Sequence, residues 1–399
     1  MRILQIVPSY PPKIGGVENH VFELVRRLRL LGHTVYVVTS NQPPLNVKEN
    51  FNFEKRLPLL FNASGKWGEI PICPSIFSAL SDLHPDIVHV HTPPRFFAEC
   101  AAFYFRYMSS TRIPLVVTYH LHNSSLKNLG KIVWDLHNRT FQRFVFETAD
   151  KIVVCNSQDV EVMQQEFGVP RKKIVTIPPG VDCDRFNPKK VKANLFKQKG
   201  ISANNIILFT GRLNTVKGLN YLIQAFQLVS EEIKDSVLVI CGNGTGNYKH
   251  DLENLTTTLN LSSRVVFLDP VSAQDYPSLL ASCDVFVLPS LSESFSIVTA
   301  EALSMEKPVV ATRVTGVKEF VRNNETGLMV EPRDVKALSN AIVELLKNRA
   351  LAKKLGQNGR QFVASNFDWS MLARKFEALY EESIRGLREY SSQSSVEEL

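Results

Sequence analysis

Short apolar runs alternate with amphipathic stretches from the first residues onward. RILQIV (2–7) is apolar until Pro8 stops it, and reads as a buried strand. VENHVFELVRRLRLLGH (17–33) places Val17, Phe22, Val25, Leu28 and Leu31 at helical spacing, with Arg26, Arg27 and Arg29 largely off that face and Gly32 at its end. TVYVVTS (34–40), DIVHVH (86–91), PLVVTYH (114–120), KIVVCN (151–156) and KIVTIP (173–178) continue as strands, most of them separated by helical stretches. Apolar strands alternating with helices predict a parallel sheet covered on both faces.

The pattern lapses over RFNPKKVKANLFKQKGISANN (185–205), a basic, polar stretch that reads as an interdomain connection. A second alternation follows: strands at 205–212, 237–242, 264–269, 284–290, 307–313 and 327–332, with helices at 217–230, 249–259, 274–282, 294–305 and 334–347. A long amphipathic helix from about Trp369 to Tyr390 closes the chain, and 391–399 reads as a frayed tail. The expected organisation is two doubly wound domains, 1–185 and 186–369, with the helix at about 370–390 joining the first.

A length of 399 residues suits two cores, and 44% hydrophobic with 21% charged residues describes a globular chain. No run of eighteen apolar residues predicts a membrane span. The opening MRILQIVPSYPP reads as a first strand rather than a signal peptide. Six scattered cysteines without a C-x-x-C pair read as reduced, buried thiols in a cytoplasmic compartment. The net charge of +7 is concentrated in residues 1–185, which hold 21 Lys and Arg against 16 Asp and Glu. Such a surface suits anionic lipid or a phosphorylated acceptor. Nucleic acid is disfavoured, because no basic-aromatic interleaving or binding motif is present.

Ligands of open α/β sheets lie beyond the carboxyl ends of strands. After the first strand, Gly15 and Gly16 precede a helix whose free N–H groups suit an anion. No G-x-G-x-x-G follows, which disfavours an oxidoreductase with a dinucleotide cofactor. His120 ends the PLVVTYH strand. His89 with His91, and His120 with His122, are His-x-His pairs, a spacing more often strand-end polarity than a metal site. Arg212 and Lys217 flank a loop opening a helix, a fit for a diphosphate. Gly242, Gly244 and Gly246 form a glycine cluster, and Glu293 and Glu301 stand eight positions apart around the start of another helix. Glu301 is expected about two turns into that helix.

Together these segments resemble family 4 glycosyltransferases along nearly the whole chain. PPKIGGVE (11–18), TYH (118–120), IPPGVDCDRF (177–186), GRLNTVKG (211–218), ESFSIVTAE (293–301), KPVVAT (307–312) and ETGLMV (325–330) occur in the expected order. The resemblance implies a GT-B fold, two Rossmann-like domains facing each other across a cleft, and a retaining reaction with no cofactor and no metal. It implies a nucleotide-sugar donor and a glycan or lipid-linked acceptor, the latter fitting peripheral docking through the basic first half at the cytoplasmic membrane face. Gly15 and Gly16 would contact the diphosphate. His120 would lie near the transferred sugar or its phosphate. Arg212 and Lys217 would neutralise the diphosphate, Glu293 would hold sugar hydroxyls and Glu301 the ribose. Backbone N–H groups of Phe295, Ser296 and Ile297 would meet the phosphates, and Gly242 would line the donor. Ser294 and Ser296, Asp269 and Thr315 stand where glycine is usual, which bears on donor identity. A non-catalytic nucleotide-sugar scaffold and a GT-B epimerase are the rival readings.

Overall fold

The computed structural model describes residues 1–13, 15–42, 53–65, 68–92, 96–120, 138–244, 246–293 and 295–397. The chain divides into two compact units, Met1–Pro179 with Trp369–Leu399, and Gly180–Asp368.

The first unit is built on strands β1 (Arg2–Ile6), β2 (Thr34–Ser40), β3 (Glu54–Leu57), β6 (Ile87–Thr92), β7 (Leu115–Tyr119), β8 (Lys151–Val154) and β9 (Ile174–Thr176). They form one parallel sheet in the order β3-β2-β1-β6-β7-β8-β9. Strands β4 (Phe61–Gly65) and β5 (Gly68–Ile72) pair as a separate antiparallel ribbon. The second unit holds β10 (Asn205–Thr210), β11 (Ser236–Cys241), β12 (Val265–Leu268), β13 (Val285–Leu288), β14 (Val309–Thr312) and β15 (Leu328–Val330), in the parallel order β12-β11-β10-β13-β14-β15. Each sheet therefore reverses its winding once, between β1 and β6 and between β10 and β13. Those reversals are where a crevice opens in such sheets.

The central strands are apolar on both faces because helices cover both: Ile3, Leu4 and Ile6 are fully buried, as are Ile207, Leu208 and Phe209. The helix Gly16–Leu30 buries His20, Val21, Leu24, Val25 and Leu28. This corrects the expected stripe: Phe22 is exposed and Leu31 only half-buried, because the helix turns His20 inward instead. That face packs on Trp369, Leu372, Phe376, Leu379 and Tyr380. These come from the last helix, Trp369–Glu397, which runs through most of the expected tail.

The segment 185–205 is not a connection but part of the second unit. Phe186, Leu195 and Phe196 enter its core, and the Phe186 carbonyl accepts from Ser304 Oγ at 2.9 Å and from Arg360 Nη1 at 3.0 Å. Val181 and Cys183 are buried in the same core, which moves the crossing back to Pro179–Gly180. All six cysteines are free thiols. Among the described residues no helix is long and apolar enough to cross a membrane.

Candidate donor-binding site

In the second unit the loops leaving β10 and β13 are locked together at the reversal of the sheet. Asn214 caps the turn Thr215–Lys217, its side chain accepting from Lys217 N at 3.2 Å. Gly218 follows in the left-handed region at φ 64°, and an added Cβ would overlap the Pro289 carbonyl oxygen. Leu291 N donates to Val216 O at 2.7 Å across the same junction. The result is an ion pair: Lys217 Nζ donates to Glu293 Oε1, and Ser290 Oγ donates to the same oxygen at 2.7 Å. Side-chain exposures of 17% for Lys217 and 10% for Glu293 exclude the screening that weakens surface pairs. Gly316 N donates to Glu293 O at 2.9 Å and fixes the backbone. Arg212 is exposed one residue after Gly211 and, among the described residues, has no recorded partner. The structure thus brings Lys217 and Glu293 together, and Lys217 already holds a carboxylate where a free cation was expected.

Glu301 sits just over one turn into the helix Ile297–Ser304, not two, because the helix begins only at Ile297. It accepts from the Tyr276 hydroxyl at 3.1 Å. Burial pushes its carboxyl up to about 7, against the lowering effects of that bond and of Arg185. Ser296 is buried, and its hydroxyl pairs with Thr299 Oγ1 at 2.8 Å. Phe295 sets its ring edge-on to Phe320, 4.5 Å between centroids, and Ile297 opens the helix. Ser294 lies outside the described residues. Gly242, expected to line a nucleotide, has a demonstrable backbone role: at φ 156°, an added Cβ would overlap the Gly211 carbonyl oxygen.

In the first unit, Gly15 precedes the helix start and Gly16 begins it. Glu18 reaches back to this end: an added Cβ at Gly15 would overlap its carboxylate, which Ser9 Oγ holds at 2.6 Å. The expected anion site therefore already faces a carboxylate. His120 does not stand apart at a strand end. Its Nε2 lies 3.1 Å from His91 Nδ1, and His20 packs edge-on at 4.8 Å between ring centroids. His91 Nε2 meets Gln5 Oε1 at 2.7 Å, and His89 contacts Tyr380 OH and Thr118 Oγ1, each at 2.6 Å. Desolvation lowers all four rings, His120 and His89 to about 3.

His20, His91 and His120 bring ring nitrogens within 4.8 Å of one another, a grouping drawn from three elements rather than the His-x-His pairs of the sequence. His91 and His120 spend their facing nitrogens on each other, and His20 packs against Trp369 and Phe376. Binding one ion would require the His91–His120 hydrogen bond at 3.1 Å to open, whereas both ring nitrogens of buried His20 have no hydrogen-bond partner among the described residues. His122 lies outside the described residues.

The family model for glycosyltransferase family 4 matches residues 14–185, and that for glycosyl transferases group 1 matches residues 191–362. The chain is a family 4 glycosyltransferase. It is 27% identical over 386 residues to the N-acetyl-alpha-D-glucosaminyl L-malate synthase of Bacillus anthracis, covering 94% of this chain and 96% of that protein. It is 26% identical over 390 residues to a GDP-mannose-dependent alpha-(1-6)-phosphatidylinositol monomannoside mannosyltransferase of Mycobacterium tuberculosis, covering 94% and 96%. The fold is GT-B: the crystal structure of an Anabaena protein in complex with UDP-glucose matches with a TM-score of 0.75 at 20% identity, covering 96% of this chain and 100% of that one.

For this glycosyltransferase, sequence reasoning singled out Lys217, Glu293, Glu301 and His120 by their places after strands. It did not single out Ser290, Tyr276, Gln5, His20 and Tyr380, which the structure places in the contacts around them. Only the Pro-Ser after β13 carried a signal, a polar residue ending a buried strand; the others are brought in by packing across elements.

The basic stretch of the first helix is less free than its sequence suggests. Arg26 and Arg27 pair with Glu23 at 2.8 and 3.8 Å, and Arg29 donates to Val35 O at 2.8 Å.

Proposed function

We propose that this glycosyltransferase is a retaining, metal-independent enzyme that moves a sugar from a UDP- or GDP-sugar to an acceptor hydroxyl. The reading is carried by the linked Lys217–Glu293–Ser290 group at the β10–β13 reversal, with exposed Arg212 on the loop that leaves β10. A diphosphate entering there takes charge from Arg212 and Lys217, which do what a metal does elsewhere. Glu293, released from part of its pairing, accepts from hydroxyls of the transferred sugar, and Glu301 accepts from the ribose. Phe295, Ser296 and Ile297 offer backbone N–H groups to the phosphates. His120 meets the transferred sugar. Same-face attack needs no protein nucleophile: the acceptor hydroxyl forms the new bond at the anomeric carbon as the bond to the diphosphate breaks. Its proton passes to the leaving phosphate oxygen.

Support for the donor comes from the GDP-mannose named for the mycobacterial relative and the UDP-glucose in the Anabaena complex. The phosphatidylinositol monomannoside in the relative's name favours a lipid-linked acceptor reached by peripheral contact at a cytoplasmic membrane face. With Arg26 and Arg27 paired to Glu23, that contact draws on the whole positive surface rather than on the first helix alone.

The deciding experiment measures nucleotide release from UDP-, GDP- and ADP-sugars in chelator, with and without a membrane lipid extract. Lipid-stimulated release from a UDP- or GDP-sugar, with the anomeric configuration kept in the product, is expected. Release that requires added Mg²⁺ or Mn²⁺, or an inverted product, refutes the mechanism.

A further inference from the structure

The buried histidine array has a direction, and that direction bears on the chemistry of His120. Resting on the reading above that His120 meets the transferred sugar, we propose that His91 is a positioning residue. It holds the hydrogen of His120 on Nε2, which leaves Nδ1 as a hydrogen-bond acceptor for a sugar hydroxyl.

Gln5 sets the direction. Its Nε2 donates to Tyr380 OH at 3.1 Å, which leaves its carbonyl Oε1 facing His91 Nε2 at 2.7 Å. A carbonyl oxygen only accepts, so His91 carries its hydrogen on Nε2. Burial of both rings keeps them neutral, with one hydrogen each. His91 Nδ1 is then a lone pair, and the 3.1 Å contact with His120 is made by a hydrogen on His120 Nε2. What remains on His120 is the lone pair of Nδ1. Its recorded neighbour is Cys155 Sγ at 3.9 Å, and that thiol donates to Tyr119 O at 3.5 Å. The same assignment sets the direction at the other end of the chain. Tyr380 accepts from Gln5 and donates to His89 Nδ1, and His89 Nε2 donates to Thr118 Oγ1. The acceptor lone pair suits a sugar hydroxyl and repels a phosphate oxygen, so of the two roles expected for His120 the array selects the sugar. Tyr380 belongs to the helix Trp369–Glu397, and this ties the end of the chain to the state of His120.

The test uses the full chain. In protein carrying ¹⁵N-labelled histidine, long-range ¹H–¹⁵N correlation assigns each tautomer, with the His120 signals identified by their loss in His120→Gln. The expected result is Nε2–H on His120. Hydrogen on Nδ1, the state that a reversed Gln5 amide would give, overturns the proposal.

Kinetics supply the second arm. His91→Phe fills the space without an acceptor and should lower kcat by about 10- to 100-fold, the size of one lost orienting hydrogen bond, with KM for the nucleotide sugar changed less than about 3-fold. His91→Asn, whose amide oxygen stands near the Nδ1 position, should recover most of kcat. Wild-type turnover in His91→Phe, or no difference between the two variants, overturns the proposal. Should His91→Phe fail to fold, the wild-type tautomer and the Asn variant still decide. If the wild-type protein transfers no sugar, the functional reading fails and the tautomer measurement stands by itself.

Discussion

Glu301 is a group whose protonation the fold perturbs close to neutral pH. In the unfolded chain its carboxyl ionises near the ordinary value, and in the folded protein burial raises it from 4.5 to about 7. Between those limits the folded state holds a proton that the unfolded state has lost. The stability due to this group is therefore fully present below about pH 4.5 and is lost as pH rises through 7. A displacement of that size corresponds to roughly 3 kcal/mol. Glu301→Gln keeps the shape and the acceptor for Tyr276 but cannot ionise. Above pH 8 the variant should be the more stable by up to about 3 kcal/mol, or about 5–10 °C in the melting of a unit this size. At pH 4.5 the two proteins should melt together. Nucleotide binding should move the other way, because in the proposed role of Glu301 it is the ionised carboxylate that accepts from ribose hydroxyls. UDP or GDP affinity should rise through pH 7 in the wild type and stay flat, and weaker, in the variant. Scanning calorimetry and titration calorimetry between pH 4.5 and 8.5 test both halves. Melting curves that shift with pH equally in the two proteins would refute the argument, because the titrating group would then lie elsewhere.

The ion pair and the tight glycine make further expectations. Lys217→Ala should lower turnover about 100-fold and weaken UDP or GDP binding about 10-fold, on the scale of one lost charge-stabilising donor; unchanged steady-state kinetics would remove Lys217 from the diphosphate. Glu293→Gln should free the Lys217 ammonium, so free nucleotide should bind as well as or better than to wild type while turnover falls about 100-fold; abolished nucleotide binding would show that Glu293 is not on the sugar side. Gly242→Ala should destabilise the second unit by at least about 2 kcal/mol, since the new methyl meets a backbone oxygen that cannot rotate away. Gly246→Ala, with open space at its Cβ, should cost only about 1 kcal/mol for its left-handed φ of 66°, and equal denaturation midpoints would contradict that distinction.

Much of the fold is legible because a strand buried on both faces must be apolar at nearly every position, and RILQI, NIILFT and VFVL announce themselves. Strand β3 does not: EKRL carries three charged, half-buried residues and pairs at the sheet edge beside β2. The first helix is legible as a helix but not as a face, because hydropathy counts His20 as polar and Phe22 as apolar, and packing reverses both. The stretch 185–205 hides Phe186, Leu195 and Phe196 among lysines. The helix Arg349–Asn366 carries Gly356 and Gly359 in its interior, residues that weaken an isolated helix. An added Cβ at Gly356 would overlap the Glu306 backbone, and one at Gly359 would crowd Leu303, so both are sites of close approach. The charged residues of the site are legible from their places after strands. Their pairing is not, since Lys217 and Glu293 are 76 positions apart and meet only because β10 and β13 are neighbours.

That neighbourhood also bears on the positions that depart from the family pattern. A serine in place of glycine beside a donor could narrow the site, but Ser296 does not do so. Its φ of −99° is open to any residue, its side chain is buried, and its hydroxyl is spent on Thr299 one turn into the helix. Asp269, also in a glycine position, has an 85% exposed side chain at 3.5 Å from Lys249. Thr315 begins the short helix Thr315–Lys318, whose next residue, Gly316, donates to the Glu293 carbonyl. Two of these three substitutions are absorbed by local packing or by solvent. The third lies one residue from the backbone contact that holds Glu293. Of the three, Thr315 is therefore the position from which a change of side chain reaches the backbone of Glu293, the carboxylate proposed for the sugar.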